Sequence, residues 1–204
     1  MGKLKKEHHF DESTFLGGWY IPEKVCDGML SFFNKNKKKQ EPGKRYDSIE
    51  EKNTVDKKFK DSIDLSIWPN MFGDGNEVYE YLQQLSDIIN EYEIKYPMAI
   101  NNSPYALIDF FNIQYYPPGG GFKQWHHERF VSSRNRLFVF MTYLNDVPDG
   151  GTEFYHQKIT SPAKKGLTIM WPADWTHTHR GQISKKHDKY IVTGWFKYTG
   201  NYAK

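Results

Sequence analysis

From residue 106 onward the chain runs as short apolar stretches separated by glycine and proline turns, and this punctuation limits the fold more than any other feature. Strands are expected at 106–116, 124–128, 137–144, 152–154, 167–170, 176–179 and 189–197. The turns between them include Pro117-Pro118-Gly119-Gly120-Gly121, Pro148-Asp149-Gly150-Gly151 and Ser161-Pro162. Strand-forming runs bounded by such residues read as strands joined by tight connections. Six or more of them in succession point to a sandwich or jelly roll. An aromatic content of 17%, mostly Tyr and Phe, suits a β-rich interior.

The region before residue 105 is polar and helical in pattern. Pro22-Glu23-Lys24 has the form of a helix first turn, and Val25, Met29, Phe32 and Phe33 follow at helical spacing. A second helix is expected over 76–92, with Val78, Leu82, Leu85, Ile88, Ile89 and Tyr92 as its apolar stripe. A short strand is expected at 62–68. Residues 34–60, rich in Lys, Glu, Asn, Gly and Pro, read as a mobile surface excursion and a candidate substrate lid. The expected organisation is one domain over 1–204, mainly β in an α+β arrangement. Residues 1–105 form a helical support region and 106–198 a jelly-roll core.

A net charge of +3 is small and is concentrated in the lysine-rich first quarter. Lys35, Lys37, Lys38 and Lys39 read as a solvated helix end, and no nucleic-acid partner is expected. Cys26 is the only cysteine, which excludes an intramolecular disulfide and reads as a buried, inert thiol. Residues 1–10 lack an apolar h-region and no run is long enough to cross a bilayer. The expectation is a soluble cytoplasmic protein with no membrane partner, in a reducing setting.

Within the strand-rich region, His126 and Glu128 lie two positions apart and His179 stands in a later strand. A strand points residues i and i+2 to one face, with Cα atoms about 7 Å apart, so His126 and Glu128 can grip one ion together. If His179 is brought alongside, two imidazoles and one carboxylate share one face of a metal. That set leaves positions open and is the one used by non-haem Fe(II) oxygenases. His177 would share a strand face with His179 and stands as an alternative or fourth ligand, whereas His127 alternates to the opposite face.

Open positions on Fe(II) admit O2 and a chelating 2-oxoacid. A 2-oxoglutarate co-substrate has a second carboxylate, which needs a buried cation and hydrogen-bond donors. Lys189, ten positions after His179, starts the last apolar strand and can supply the cation. Tyr143 and Tyr116 can supply phenols, and Thr193, on the Lys189 face of its strand, a hydroxyl. Arg180 and Arg136 are candidates to reach a substrate from the rim.

The stretch from Tyr116 to Trp195 resembles the prolyl 4-hydroxylase branch of the 2-oxoglutarate/Fe(II)-dependent dioxygenases. That branch has a Tyr, a Gly turn, His-x-Asp, an Arg-to-Tyr-Leu-Asn strand, a Gly-Gly turn, His-x-Gly and a basic residue ten onward. Here these are Tyr116, the Gly119 turn, His126-x-Glu128, Arg136 to Tyr143-Leu144-Asn145, Gly150-Gly151, His179-x-Gly181 and Lys189, followed by Thr193-Gly194-Trp195. The chain departs from the branch in having Glu128 for Asp and an expanded glycine turn. The resemblance implies a double-stranded β-helix, with Fe(II) on His126, Glu128 and His179. It implies the far carboxylate of 2-oxoglutarate on Lys189 with Tyr143, and Tyr116 in the same pocket. It also implies hydroxylation of an unactivated C–H bond, first of all at C4 of a peptidyl proline, as 2-oxoglutarate gives succinate and CO2. Ascorbate would be the expected reductant of oxidised iron, and the partner a proline-containing peptide or protein. Two readings stand beside it: a cupin-type metal enzyme that adds His177 and uses no 2-oxoglutarate, and a non-catalytic jelly-roll binding module.

Overall fold

The strands Leu167–Pro172, Arg136–Tyr143 and Lys189–Tyr198 lie side by side at the heart of the protein and are apolar on both faces, because each face is covered by a different layer. The computed structural model describes residues 5–47, 52–100 and 103–200. In chain order the strands are β1 (Gly17–Tyr20), β2 (Glu41–Pro42), β3 (Arg45–Asp47), β4 (Lys52–Thr54), β5 (Lys60–Asp61), β6 (Ile63–Ile67), β7 (Tyr105–Ala106) and β8 (Phe111–Tyr116). There follow β9 (Gly121–Phe122), β10 (Arg136–Tyr143), β11 (Val147–Phe154), β12 (Ile159–Ala163), β13 (Leu167–Pro172), β14 (His179–Gly181) and β15 (Lys189–Tyr198). The helices are α1 (Glu23–Lys35) and α2 (Glu77–Lys95).

The larger sheet has the order β1-β13-β10-β15-β8-β6-β2, with β7 also paired to β15. A smaller sheet, β12-β11-β14, faces it. All these pairings are antiparallel. The β core is a double-stranded β-helix supported by the two helices.

Alternation along β10 shows how two cores arise from one strand. Phe138 and Phe140 pack with Met29, Ile88 and Tyr92 of the helices, and Thr142 bonds the Tyr81 hydroxyl at 2.9 Å. Val139, Met141 and Tyr143 point the other way, into a second core with Val147, Phe154 and Ala163 of the smaller sheet. Fully burying one such aromatic or aliphatic side chain stabilises the fold by about 1.5–3 kcal/mol. Helix α2 starts at Asn76, whose side chain accepts from Val78 N at 2.8 Å and satisfies one free donor of the first turn.

Several expected elements take a different form. The run 106–116 is two strands, because the Asp109 carboxylate accepts from Phe110 N at 2.9 Å and pairs with Lys197 at 2.6 Å, turning the chain between them. Residues 124–128 form no ladder: one antiparallel bridge joins His126 to His179. Beyond it, the backbone N–H groups of Glu128 and Arg129 both donate to the Ala173 carbonyl. Residues 175–177 make a 3-10 turn before β14, so His177 and His179 do not share a strand face. Strands β1 and β12 were not expected. The expected excursion at 34–60 contains β2 to β5, tied down by β2–β6 and β5–β9 pairing; its residues 48–51 lie outside the described residues. No helix among the described residues is long and apolar enough to cross a membrane.

Candidate active site

The single bridge between His126 and His179 does much of the assembly. Reciprocal backbone hydrogen bonds, 3.0 Å from His126 N and 2.8 Å from His179 N, lock the two residues opposite one another. Glu128 then projects beside them, and the ligand atoms of His126, Glu128 and His179 all lie within 4.8 Å of one another. The Glu128 Oε1 atom is 3.4 Å from His126 Nε2 and 3.8 Å from His179 Nε2. Among the described residues no other trio of His, Cys, Asp or Glu is gathered this way.

The surrounding bonds decide which atoms are free. His126 Nδ1 lies 3.0 Å from the Gln124 carbonyl and His179 Nδ1 lies 2.9 Å from the His177 carbonyl. A carbonyl only accepts, so each Nδ1 carries the proton and each Nε2 presents a lone pair to the common centre. Phe122 stacks on His126 at 3.7 Å, and Trp171 meets His179 edge-on at 5.0 Å, fixing both rings. Burial pushes the His179 pKa down to about 3, which keeps it neutral and able to ligate.

Glu128 is buried, and burial alone would raise its pKa. The Arg136 guanidinium beside it opposes that, and the carboxyl is held well below the ordinary carboxylate range. Arg136 Nη1 bonds Glu128 Oε2 at 2.7 Å, leaving Oε1 for the centre, and its guanidinium lies 3.6 Å over the Trp195 ring. Arg136, expected at the rim, therefore turns inward onto a candidate ligand. Arg180 remains at the rim, ion-paired with Glu153 and stacked on Trp125 at 4.4 Å. His177 takes no part: its Nε2 is 2.9 Å from the Thr14 carbonyl and its Nδ1 is 3.0 Å from Thr176 Oγ1. A four-ligand cupin-type site loses its added histidine to this arrangement.

The trio opens into a cavity of about 650 Å³ lined also by Lys189, Tyr143, Tyr116 and Thr193. Lys189 is 5% exposed, and its ammonium donates to the carbonyls of Gly150 (3.1 Å) and Gln182 (3.0 Å). No carboxylate among the described residues pairs with it, and burial lowers its pKa to about 8. A Cβ at Gly181 would lie 3.4 Å from Lys189 Nζ, so the glycine of His-x-Gly leaves the ammonium its space. The Tyr143 hydroxyl is 2.8 Å from both Thr152 Oγ1 and Ser161 Oγ, partners that the sequence did not single out. Thr193 Oγ1 donates to the Phe140 carbonyl at 3.2 Å. The indole N–H groups of Trp171 and Trp195, both cavity-lining, are buried without a partner. A divalent ion on the trio, with an oxygen-rich anion reaching Lys189, fits this set of lone pairs, orphaned donors and unpaired cation.

Residues 111–197 match the sequence model of the 2OG-Fe(II) oxygenase superfamily. No curated protein sequence matches the chain. In fold it is similar to a Pseudomonas putida prolyl-4-hydroxylase, at 15% identity and TM-score 0.65, covering 91% of this chain and 93% of the other. A viral collagen prolyl hydroxylase from Paramecium Bursaria Chlorella virus-1, in a 2OG complex, matches at 16% identity and TM-score 0.61 over 91% and 97%. A Trichoplax adhaerens prolyl hydroxylase, in complex with a hypoxia inducible factor oxygen degradation domain peptide fragment, matches at 13% identity and TM-score 0.70 over 91% and 84%. The chain thus resembles the 2OG-Fe(II) oxygenases in sequence over residues 111–197 and the prolyl hydroxylases in fold over most of its length.

Proposed function

We propose that this chain, with a 2OG-Fe(II) oxygenase pattern on a prolyl-4-hydroxylase-like fold, is a 2-oxoglutarate- and Fe(II)-dependent dioxygenase hydroxylating an unactivated C–H bond. The observation that carries the reading is the convergence of His126, Glu128 and His179, with both Nε2 atoms and Oε1 facing one point. The reaction consumes one O2 and one 2-oxoglutarate for each C–H bond converted to C–OH, and releases succinate and CO2. Bound iron with its 2-oxoacid supplies the oxidising chemistry.

The protein's own part is to bind, orient and shield. His126 and His179 turn their Nε2 atoms inward because each Nδ1 is bonded to a backbone carbonyl. Arg136 takes one Glu128 oxygen and aims the other. Lys189 offers its ammonium to the far carboxylate of 2-oxoglutarate, with the Tyr143 hydroxyl, Tyr116 and Thr193 lining that end. An anion there replaces no existing ion pair, so its attraction to Lys189 is undiminished.

The substrate is a proline-containing peptide or protein, by analogy with the prolyl hydroxylase neighbours and with the peptide bound to one of them. Ascorbate is the reductant that keeps the iron ferrous. The test incubates the protein with Fe(II), 2-oxoglutarate and proline-rich peptides, and follows succinate release and peptide mass. Succinate with a gain of one oxygen on proline is the expected result. Succinate without that gain retains the dioxygenase and removes the prolyl substrate; no succinate from metal-loaded protein removes both.

A further inference from the structure

One wall of the cavity comes from strands β6 and β8, whose residues alternate apolar and polar as Ile-Asp-Leu-Ser-Ile and Phe-Asn-Ile-Gln-Tyr-Tyr. Leu65, Ile67, Phe111 and Ile113 pack on the helix side, whereas Asp64, Ser66, Asn112 and Gln114 line the cavity. Register sets Asp64 opposite Gln114 on one side, and Lys189 and Ile191 opposite Tyr116 and Gln114 on the other. The polar groups form one buried chain. Lys60 Nζ donates to Asp64 Oδ2 at 2.5 Å, and Ser62 Oγ donates to Asp64 Oδ1 at 2.7 Å. Gln114 Nε2 donates to Asp64 Oδ2 at 3.2 Å, and the Tyr116 hydroxyl donates to Gln114 Oε1 at 2.6 Å. Lys60, Gln114 and Tyr116 are 6%, 6% and 4% exposed.

Each direction in this chain follows from the one before it. The Asp64 carboxylate, paired with an ammonium, only accepts, so Gln114 must turn its NH2 toward it. The amide oxygen then faces Tyr116, and an amide oxygen also only accepts. The phenol has one proton, and it is spent on Gln114.

We propose that Lys60, Asp64 and Gln114 are positioning residues that fix Tyr116 as a hydrogen-bond acceptor toward the cavity. The Tyr116 oxygen then meets a substrate N–H or O–H, and does not serve as a second donor to the co-substrate carboxylate. The cavity is thereby divided into an anion-holding end at Lys189 and a donor-seeking wall at Tyr116. A substrate with an amide N–H or an alcohol at that point fits, and one presenting only carbonyl or carboxylate oxygens is rejected. Lys60, Ser62 and Asp64 lie outside the matched stretch 111–197, so the anchor that orients Gln114 and Tyr116 is a contribution of the amino-terminal half. The inference rests on the dioxygenase reading only for the identity of the anion.

The test has two arms. Difference infrared spectra, wild type minus Tyr116→Phe, read the phenol C–O stretch of Tyr116 in the ligand-free protein. A donor-type phenol is expected in wild type and its loss in Gln114→Leu; a free or acceptor-only phenol in wild type, or an unchanged one in Gln114→Leu, overturns the proposal. If Gln114→Leu does not fold, Asp64→Asn serves, because it frees the amide to turn and should likewise weaken the donor signature. In the second arm, calorimetry measures 2-oxoglutarate binding to Mn(II)-loaded protein. Less than a threefold change in Kd for Tyr116→Phe is expected, and a weakening of threefold or more shows the phenol donating to the anion and overturns the proposal. Wild-type protein that folds and loads Mn(II) but binds no 2-oxoglutarate counts against the dioxygenase reading, while the spectra still decide the state of Tyr116.

Discussion

Replacing Lys189 with methionine separates what that residue costs the fold from what it contributes to binding. Burial lowers its pKa from 10.5 to about 8. A fall of about 2.5 at 1.36 kcal/mol each makes the buried ammonium cost about 3 kcal/mol at neutral pH. Methionine has a similar shape and no charge, so Lys189→Met removes that cost. It also leaves the carbonyls of Gly150 and Gln182 without their donor, a loss of about 1–3 kcal/mol. The ligand-free variant should therefore equal wild type or exceed it by up to about 2 kcal/mol in urea unfolding at pH 7. The sign with pH is also set. Between pH 8 and 10.5 the unfolded chain holds a proton on Lys189 that the folded protein has released, so wild-type stability rises with pH. The variant lacks that rise, and its advantage should shrink across the window. Adding 2-oxoglutarate should stabilise metal-loaded wild type but not the variant, with an affinity that declines as pH climbs past about 8. A variant more than about 1 kcal/mol less stable than wild type at pH 7 would refute the reasoning, since the ammonium would then already be compensated.

Arg136→Met should weaken Mn(II) binding by about 10- to 100-fold, because Glu128 Oε2 loses its anchor and Oε1 its aim; calorimetric titration checks this. Gly194→Ala should destabilise the protein by about 1–3 kcal/mol in urea unfolding, because the new Cβ would sit 2.6 Å from Phe111 Cβ and from Phe140 Cζ.

Much of this architecture is readable in the sequence where the signal is local. The stripes of Val25, Met29 and Phe33 and of Val78, Leu85 and Ile88 are the buried faces of α1 and α2. The turn at 117–121 does separate β8 from β9, but Pro148-Asp149-Gly150-Gly151 lies within β11 and Ser161-Pro162 within β12, because pairing with neighbouring strands overrides their local turn preference. The trio His126, Glu128 and His179 converges, though through one bridge and not a ladder, because Ala173 captures the backbone after it. What was not legible depends on pairing across long separations. Asp64 and Gln114 look like solvent-facing members of alternating strands, and only the β6–β8 register makes them a cavity wall. Thr152 and Ser161 reach Tyr143 only because β11 and β12 fold over β10. Arg136 was visible as a site residue, but its direction followed from the bend at Glu128, which no periodicity encodes.

Whether one ion sits on the three converging side chains can be seen directly. Crystals grown without oxygen in Fe(II) and 2-oxoglutarate, measured at the iron absorption edge, should give one anomalous peak per chain. It should lie within bonding distance of His126 Nε2, Glu128 Oε1 and His179 Nε2, with co-substrate density running from it to Lys189. A peak elsewhere, or none at that point in crystals that hold iron, would contradict the account.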